Sequence, residues 1–88
     1  MNASDTLLQF PCDFPIKVMG KNVPEFTQAI SDLICKHAPD FDPASLEIRA
    51  SSKANYIGLT ATIRAASRAQ LDALYLALTG HPLVKIVL

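Results

Sequence analysis

The run Met19-Gly20-Lys21-Asn22 holds the residue types best suited to grip an anion. It follows an alternating strand pattern and precedes a helical one, so it stands at a strand-to-helix turn. Free N–H groups at a helix N-terminus carry partial positive charge, and Lys21 adds a full one, so a carboxylate or phosphate suits the place. Gly20, Lys21 and Asn22 are therefore the candidate ligand-binding residues. A purely structural reading is also open, with Gly20 permitting a positive-φ turn and Asn22 capping the helix. A second constellation is cationic. Lys17, Arg49, Arg64 and Lys85 alternate onto one sheet face with Met19, and Glu47 is the acid among them. Lys17, Met19, Arg49, Arg64 and Lys85 form the candidate partner surface. The other acids fall on termini, loops and helices, so a neutral chain would be polarised, basic on the sheet and more acidic on the helices. The simpler alternative is a solvated face with weak ion pairs.

Residues that could carry catalysis or bind metal are not spaced for it. Cys12, Cys35, His37 and His81 lack the separations of a zinc site, and no Cys-x-x-Cys is present. His37 falls near the apolar stripe of the first helix and reads as a packing residue, with Cys35 on the flank. The Ser, His and acidic residues suggest no triad. The expectation is a non-enzyme with no cofactor and no metal.

The totals point the same way. Eighty-eight residues make one small domain, which buries only about 60 % of its unfolded surface. Eight basic and eight acidic residues cancel, leaving no overall electrostatic footprint for nucleic acid or an anionic membrane. The first ten residues lack the basic start and apolar run of a signal peptide, and no window approaches the length of a membrane span. Two cysteines are too few for a disulfide scaffold, so a reduced cytoplasmic protein is expected.

The elements that must position these residues follow from periodicity. Residues 1–9 read as a loose arm, with Leu7, Leu8 and Phe10 able to pin it, and 10–88 as the domain. Phe14, Ile16 and Val18 alternate with Pro15, Lys17 and Met19, the pattern of a strand with one buried face. Asn22 and Glu25 fit a capping box and Pro24 a first helical turn. Val23, Phe26, Ile30, Leu33, Ile34 and His37 share a helical stripe that ends at Ala38-Pro39. Leu46, Ile48 and Ala50 mark a second strand, Ser52 to Asn55 a hairpin turn, and Tyr56 to Ala65 a third strand. Ser67 and Gln70 make another capping box before a helix with Leu71, Leu74, Tyr75 and Leu78 on its apolar face. Gly80 and Pro82 end that helix, and Leu83 to Leu88 is a last strand. The order β-α-β-β-α-β folds most simply as a ferredoxin-like plait, an α+β fold. Its four antiparallel strands take the order 4-1-3-2, with both helices on one face.

The residues FPCDFPIKVMG, the HAP that closes the first helix, SSKANY in the hairpin and the terminal IVL resemble the YbeD family of small bacterial proteins of unassigned function. The resemblance runs from about Leu8 to Leu88, with Ala54 standing where glycine is expected in the hairpin. It implies a ferredoxin-like plait similar to ACT domains, which bind amino acids near the strand-to-helix turn. Members are often encoded beside lipoate-assembly genes, which implies a regulatory link to that pathway.

Plaits of other kinds fit less well. RNA-recognition motifs stack bases on aromatics of the central strands, whereas the outward positions here offer Tyr56 alone. Acylphosphatases carry an essential arginine in the loop after the first strand, where this chain has Lys21. The leading expectation is a non-catalytic regulatory or adaptor domain that binds a small anionic metabolite or a partner protein. The alternatives are a pure protein–protein interaction module without ligand and, behind it, an RNA-binding plait. Pairing of edges or sheet faces between two copies is natural for such a plait, so a homodimer is one expectation and a lone monomer the alternative. The last strand is the more open edge, with Leu83 and Val87 outward and Lys85 as guard, while Glu47, Arg49 and short length protect the second.

Overall fold

The structure, a computed structural model, describes residues 9–50 and 55–88. Six main elements follow in order: β1 (Cys12–Lys21), α1 (Pro24–His37), β2 (Glu47–Ala50), β3 (Tyr56–Ala65), α2 (Arg68–Thr79) and β4 (Val84–Val87). The sheet is antiparallel in the order β2-β3-β1-β4, the expected 4-1-3-2 read from the other edge. The fold is the ferredoxin-like α+β plait. Residues 1–8, the expected arm, and most of the hairpin turn, Ala54 included, lie outside the described residues.

β1 and β3 pair along their whole length, from Cys12 opposite Ala65 to Lys21 opposite Tyr56. Alternation then sends Ile16, Val18, Ile57, Leu59, Ala61, Ile63 and Ala65 into one core, where all are buried. From the helices come Phe26, Ile30, Ile34, Leu71, Leu74 and Leu78. Burial of such side chains, roughly 1.5–3 kcal/mol each, is the main force joining sheet to helices. His37 is half-buried, and Cys35 packs on the core's margin with its thiol 3.9 Å from the Phe41 carbonyl.

Helix ends explain much of the topology. Pro24 occupies the first turn of α1 as expected, but the N-cap is Val23 and no side chain caps it, so the Asn22–Glu25 box does not form. Asn22 stands one residue too early. At α2 the first half of the box forms, with Ser67 Oγ accepting from the Gln70 N–H at 3.1 Å, while Gln70 Oε1 accepts from the N–H of Ala66, one residue before the cap. The same Gln70 amide donates through Nε2 to the His37 carbonyl at 2.8 Å, tying the end of α1 to the start of α2. Between α1 and β2 the expected loop carries one 3₁₀ turn, Pro43–Ser45, capped by Asp42.

Candidate binding face

Cross-strand pairing lays out the side of the sheet opposite the helices row by row. Leu88, Lys17, Thr60 and Glu47 form one row, and Ile86, Met19, Gly58 and Arg49 the next. Lys21 and Tyr56 begin a third. Gly58 has no side chain, so the middle of the face is low. The resulting depression holds about 710 Å³, with Gly58 and Thr60 as floor, Met19, Ile86 and Leu88 on one flank, Glu47 and Arg49 on the other, and Tyr56 at one end. Met19, Tyr56, Ile86 and Leu88 are all exposed, Leu88 at 70 %. Four exposed apolar side chains on one face, beside Lys17, Lys21 and Arg49, make it amphipathic rather than simply basic.

Lys17, Met19, Arg49 and Arg64 come to this face as expected. Lys85 does not. Gly20 pairs with Val84 and Met19 with Ile86, so Lys85 is the extra residue of a β-bulge in β4. A bulge inserts one residue and shifts the phase of everything beyond it. Val87 therefore stands opposite Val18 on the helix side and does not point outward as periodicity suggests, while Leu83, before the bulge, is half-buried. Ile86 and Leu88 take the open-face places beyond the bulge, which simple alternation misses. Glu47 also has acidic company: Asp13 lies on this face opposite Arg64, with its carboxylate 3.4 Å from the guanidinium. Both side chains are more than half exposed, so the pair contributes little to stability, but it partly neutralises Arg64.

The strand-to-helix turn also differs from expectation. No glycine among the described residues has positive φ, and Gly20 lies inside β1, fully paired and buried. Its requirement is space. An added Cβ would stand 2.5 Å from a carbon of the Phe26 ring and closer still to the Leu83 carbonyl oxygen. The N–H groups at this turn are mostly occupied. Asn22 donates to the Asn55 carbonyl at 3.2 Å, Val23 to Lys21 at 2.9 Å and Phe26 to Val23 at 3.0 Å, while Pro24 has no N–H. Lys21 and Asn22 do line a second, smaller depression of about 560 Å³, together with Val23, Asn55, Tyr56 and Lys85. The structure thus brings Lys21, Asn22 and Lys85 together and leaves Gly20 beneath them as packing.

Cys35 and His81 are engaged locally. His81 Nδ1 accepts from the Leu83 N–H at 3.1 Å within the turn before β4. Among the described residues no three His, Cys, Asp or Glu side chains gather as a metal-holding group. No helix there is long and apolar enough to cross a membrane.

Residues 5–88 match the family model described as "Protein of unknown function (DUF493)". A UPF0250 protein of Bordetella pertussis is 57 % identical over 84 residues, covering 96 % of this chain and 92 % of that one. The chain belongs to this family. A UPF0250 protein of Paraburkholderia phytofirmans is 52 % identical across 99 % of this chain and 98 % of its own length. One of Nitrosomonas europaea is 50 % identical, covering 96 % and 97 % respectively. The similarity to YbeD-type proteins of unassigned function is consistent with membership in DUF493/UPF0250. These family names are those of uncharacterised proteins and assign no activity.

Proposed function

We propose that this chain is a non-catalytic cytoplasmic regulator or adaptor domain that holds an anionic partner protein on the open face of its sheet. One observation carries the reading: Met19, Tyr56, Ile86 and Leu88 stand exposed together on that face, with Lys17, Lys21 and Arg49 around them. Contiguous apolar surface rimmed by charge is typical of interaction sites. The depression over Gly58 is shallow and flanked by long side chains, which suits an extended protein segment better than an enclosed small molecule. An acidic segment with alternating apolar residues would match it in charge and form.

A second reading rests on the end depression, where Lys21, Asn22 and Lys85 converge. A small carboxylate would find two cations there, and the lipoate link implied by family resemblance makes lipoate and amino acids the first compounds to try. The experiment pairs two arms. Cross-linking in the native cell with wild type and with Lys17→Glu/Met19→Ser tests the face; equal capture of the same protein by both would sink the docking reading. A thermal-shift series with lipoate and amino acids tests the end depression, because a ligand that binds the native state raises Tm by mass action. A rise abolished by Lys21→Ala would favour the metabolite over the protein.

A further inference from the structure

All four residues of β2 are exposed, although two of them face the helix side. Pairing with β3 sets Glu47 and Arg49 on the open side, opposite Thr60 and Gly58. Ile48 and Ala50 fall on the helix side, opposite buried Leu59 and Ile57. Ile48 nonetheless keeps 56 % of its surface in water, so the helix layer stops short of this edge. Edge strands are usually guarded by charges, bulges or a covering element. The charges here are of opposite sign, two residues apart on one face, and such a pair does not repel a second copy of itself.

We propose that β2 pairs antiparallel with β2 of a second copy, joining two four-stranded sheets into one. A two-fold axis perpendicular to the sheet keeps both helix layers on the same side. Side-chain alternation then allows only registers centred on a residue, since each side chain must face one of the same side. Centred on Glu47 or Ala50, the two strands would overlap at one residue. Only centres at Ile48 and Arg49 match three residues of each strand. Centred on Arg49, the two guanidinium groups face each other, and like charges directly opposite destabilise a sheet. Centred on Ile48, Glu47 of each copy faces Arg49 of the other, and the two Ile48 side chains meet on the helix side. Opposite charges and apolar pairs facing across strands both stabilise. Half-buried Leu46 then lies across from Ala50 of the second copy, continuing the apolar seam. The charge pattern of β2 thus selects one register, and that register covers the apolar residue the helices leave exposed.

This association uses the sheet edge; it shares Glu47 and Arg49 with the rim of the docking face but not Lys17 or Met19. Sedimentation equilibrium at low ionic strength tests it with a charge swap. Wild type is expected to be a dimer. Glu47→Arg and Arg49→Glu each turn two attractive pairs into repulsive ones, and each should weaken association by about tenfold or more. A 1:1 mixture of the two variants should restore a dimer, because one then presents two cations and the other two anions. The double variant Glu47→Arg/Arg49→Glu should self-associate like wild type. A wild type that stays monomeric at every soluble concentration overturns the proposal. So do single variants that associate as tightly as wild type, or a mixture that associates no better than its components. Lys17→Glu/Met19→Ser should leave the dimer intact, so failure at the edge and failure at the face are separable.

Discussion

The two edges of this sheet are both four-residue strands, yet they are held very differently. β4 is tied from both ends. Lys17 and Leu88 exchange backbone hydrogen bonds of 3.2 and 2.7 Å, the Lys21 N–H reaches Leu83, and the Tyr75 hydroxyl donates to the Leu88 carbonyl at 3.3 Å. Val84 and Val87 pack against the core. Among the described residues β2 has a partner in β3 alone, and its inward residue Ile48 is left in water. Chain order contributes to the difference. α2 runs into β4 through a short turn, which keeps that helix close to the edge that follows it. The connection from α1 to β2 is longer and passes through a 3₁₀ turn, and no helix of the described residues covers β2. Edge strands of equal length therefore differ in what they offer to another molecule: β4 is nearly complete, and β2 is half a site.

Substitutions can break that contrast in a graded way. The largest effect is expected at Gly20→Ala. Its methyl would collide with the Phe26 ring and the Leu83 carbonyl, prising β4 from β1. Overpacking of this kind costs about 1–3 kcal/mol, readable as a lowered urea midpoint. Next comes a matched pair of truncations. Val87→Ala should cost about 1 kcal/mol through lost burial, whereas Ile48→Ser in dilute protein should stay within about 0.5 kcal/mol. Equal costs in chemical denaturation would mean that the two edges are alike after all. The smallest effect concerns alkali. Burial pushes the Tyr75 phenol above its ordinary value of 10.0, so the folded state favours the protonated form. Its contribution is whole below pH 10 and is lost as pH rises through the folded value, because the unfolded chain releases the proton first. Tyr75→Phe should remove this part of the alkaline loss and cost about 0.5 kcal/mol at neutral pH, seen by comparing unfolding at neutral and alkaline pH.

The fold was largely legible because β3 and the two helices obey simple periods. Ile57 to Ala65 alternates without interruption, and every inward residue is buried. The site was legible only in part, and the reasons are physical. A bulge carries no marker in residue type, so simple alternation puts β4 out of phase beyond Lys85 and hides Ile86 and Leu88 as surface residues. Gly20 looks like a turn because glycine permits positive φ, but it is also the one residue that fits beneath an aromatic ring inside a strand. Asp13 precedes the alternating segment, and its place opposite Arg64 follows from the greater length of β1. Exposure of Ile48 depends on how far the helix layer extends, and alternation within β2 says nothing of that.

Gln70 has a consequence of its own. A capping box accepts glutamine or glutamate equally, because either supplies an oxygen to the backbone. Here the other end of the same side chain must be a donor, since it meets the His37 carbonyl. A carboxylate would set two oxygens against each other at that point and could make the contact only after taking up a proton. The joint between the two helices is thus a latch that a carboxamide closes at any ordinary pH. With glutamate in its place, the same latch would shut only in acid.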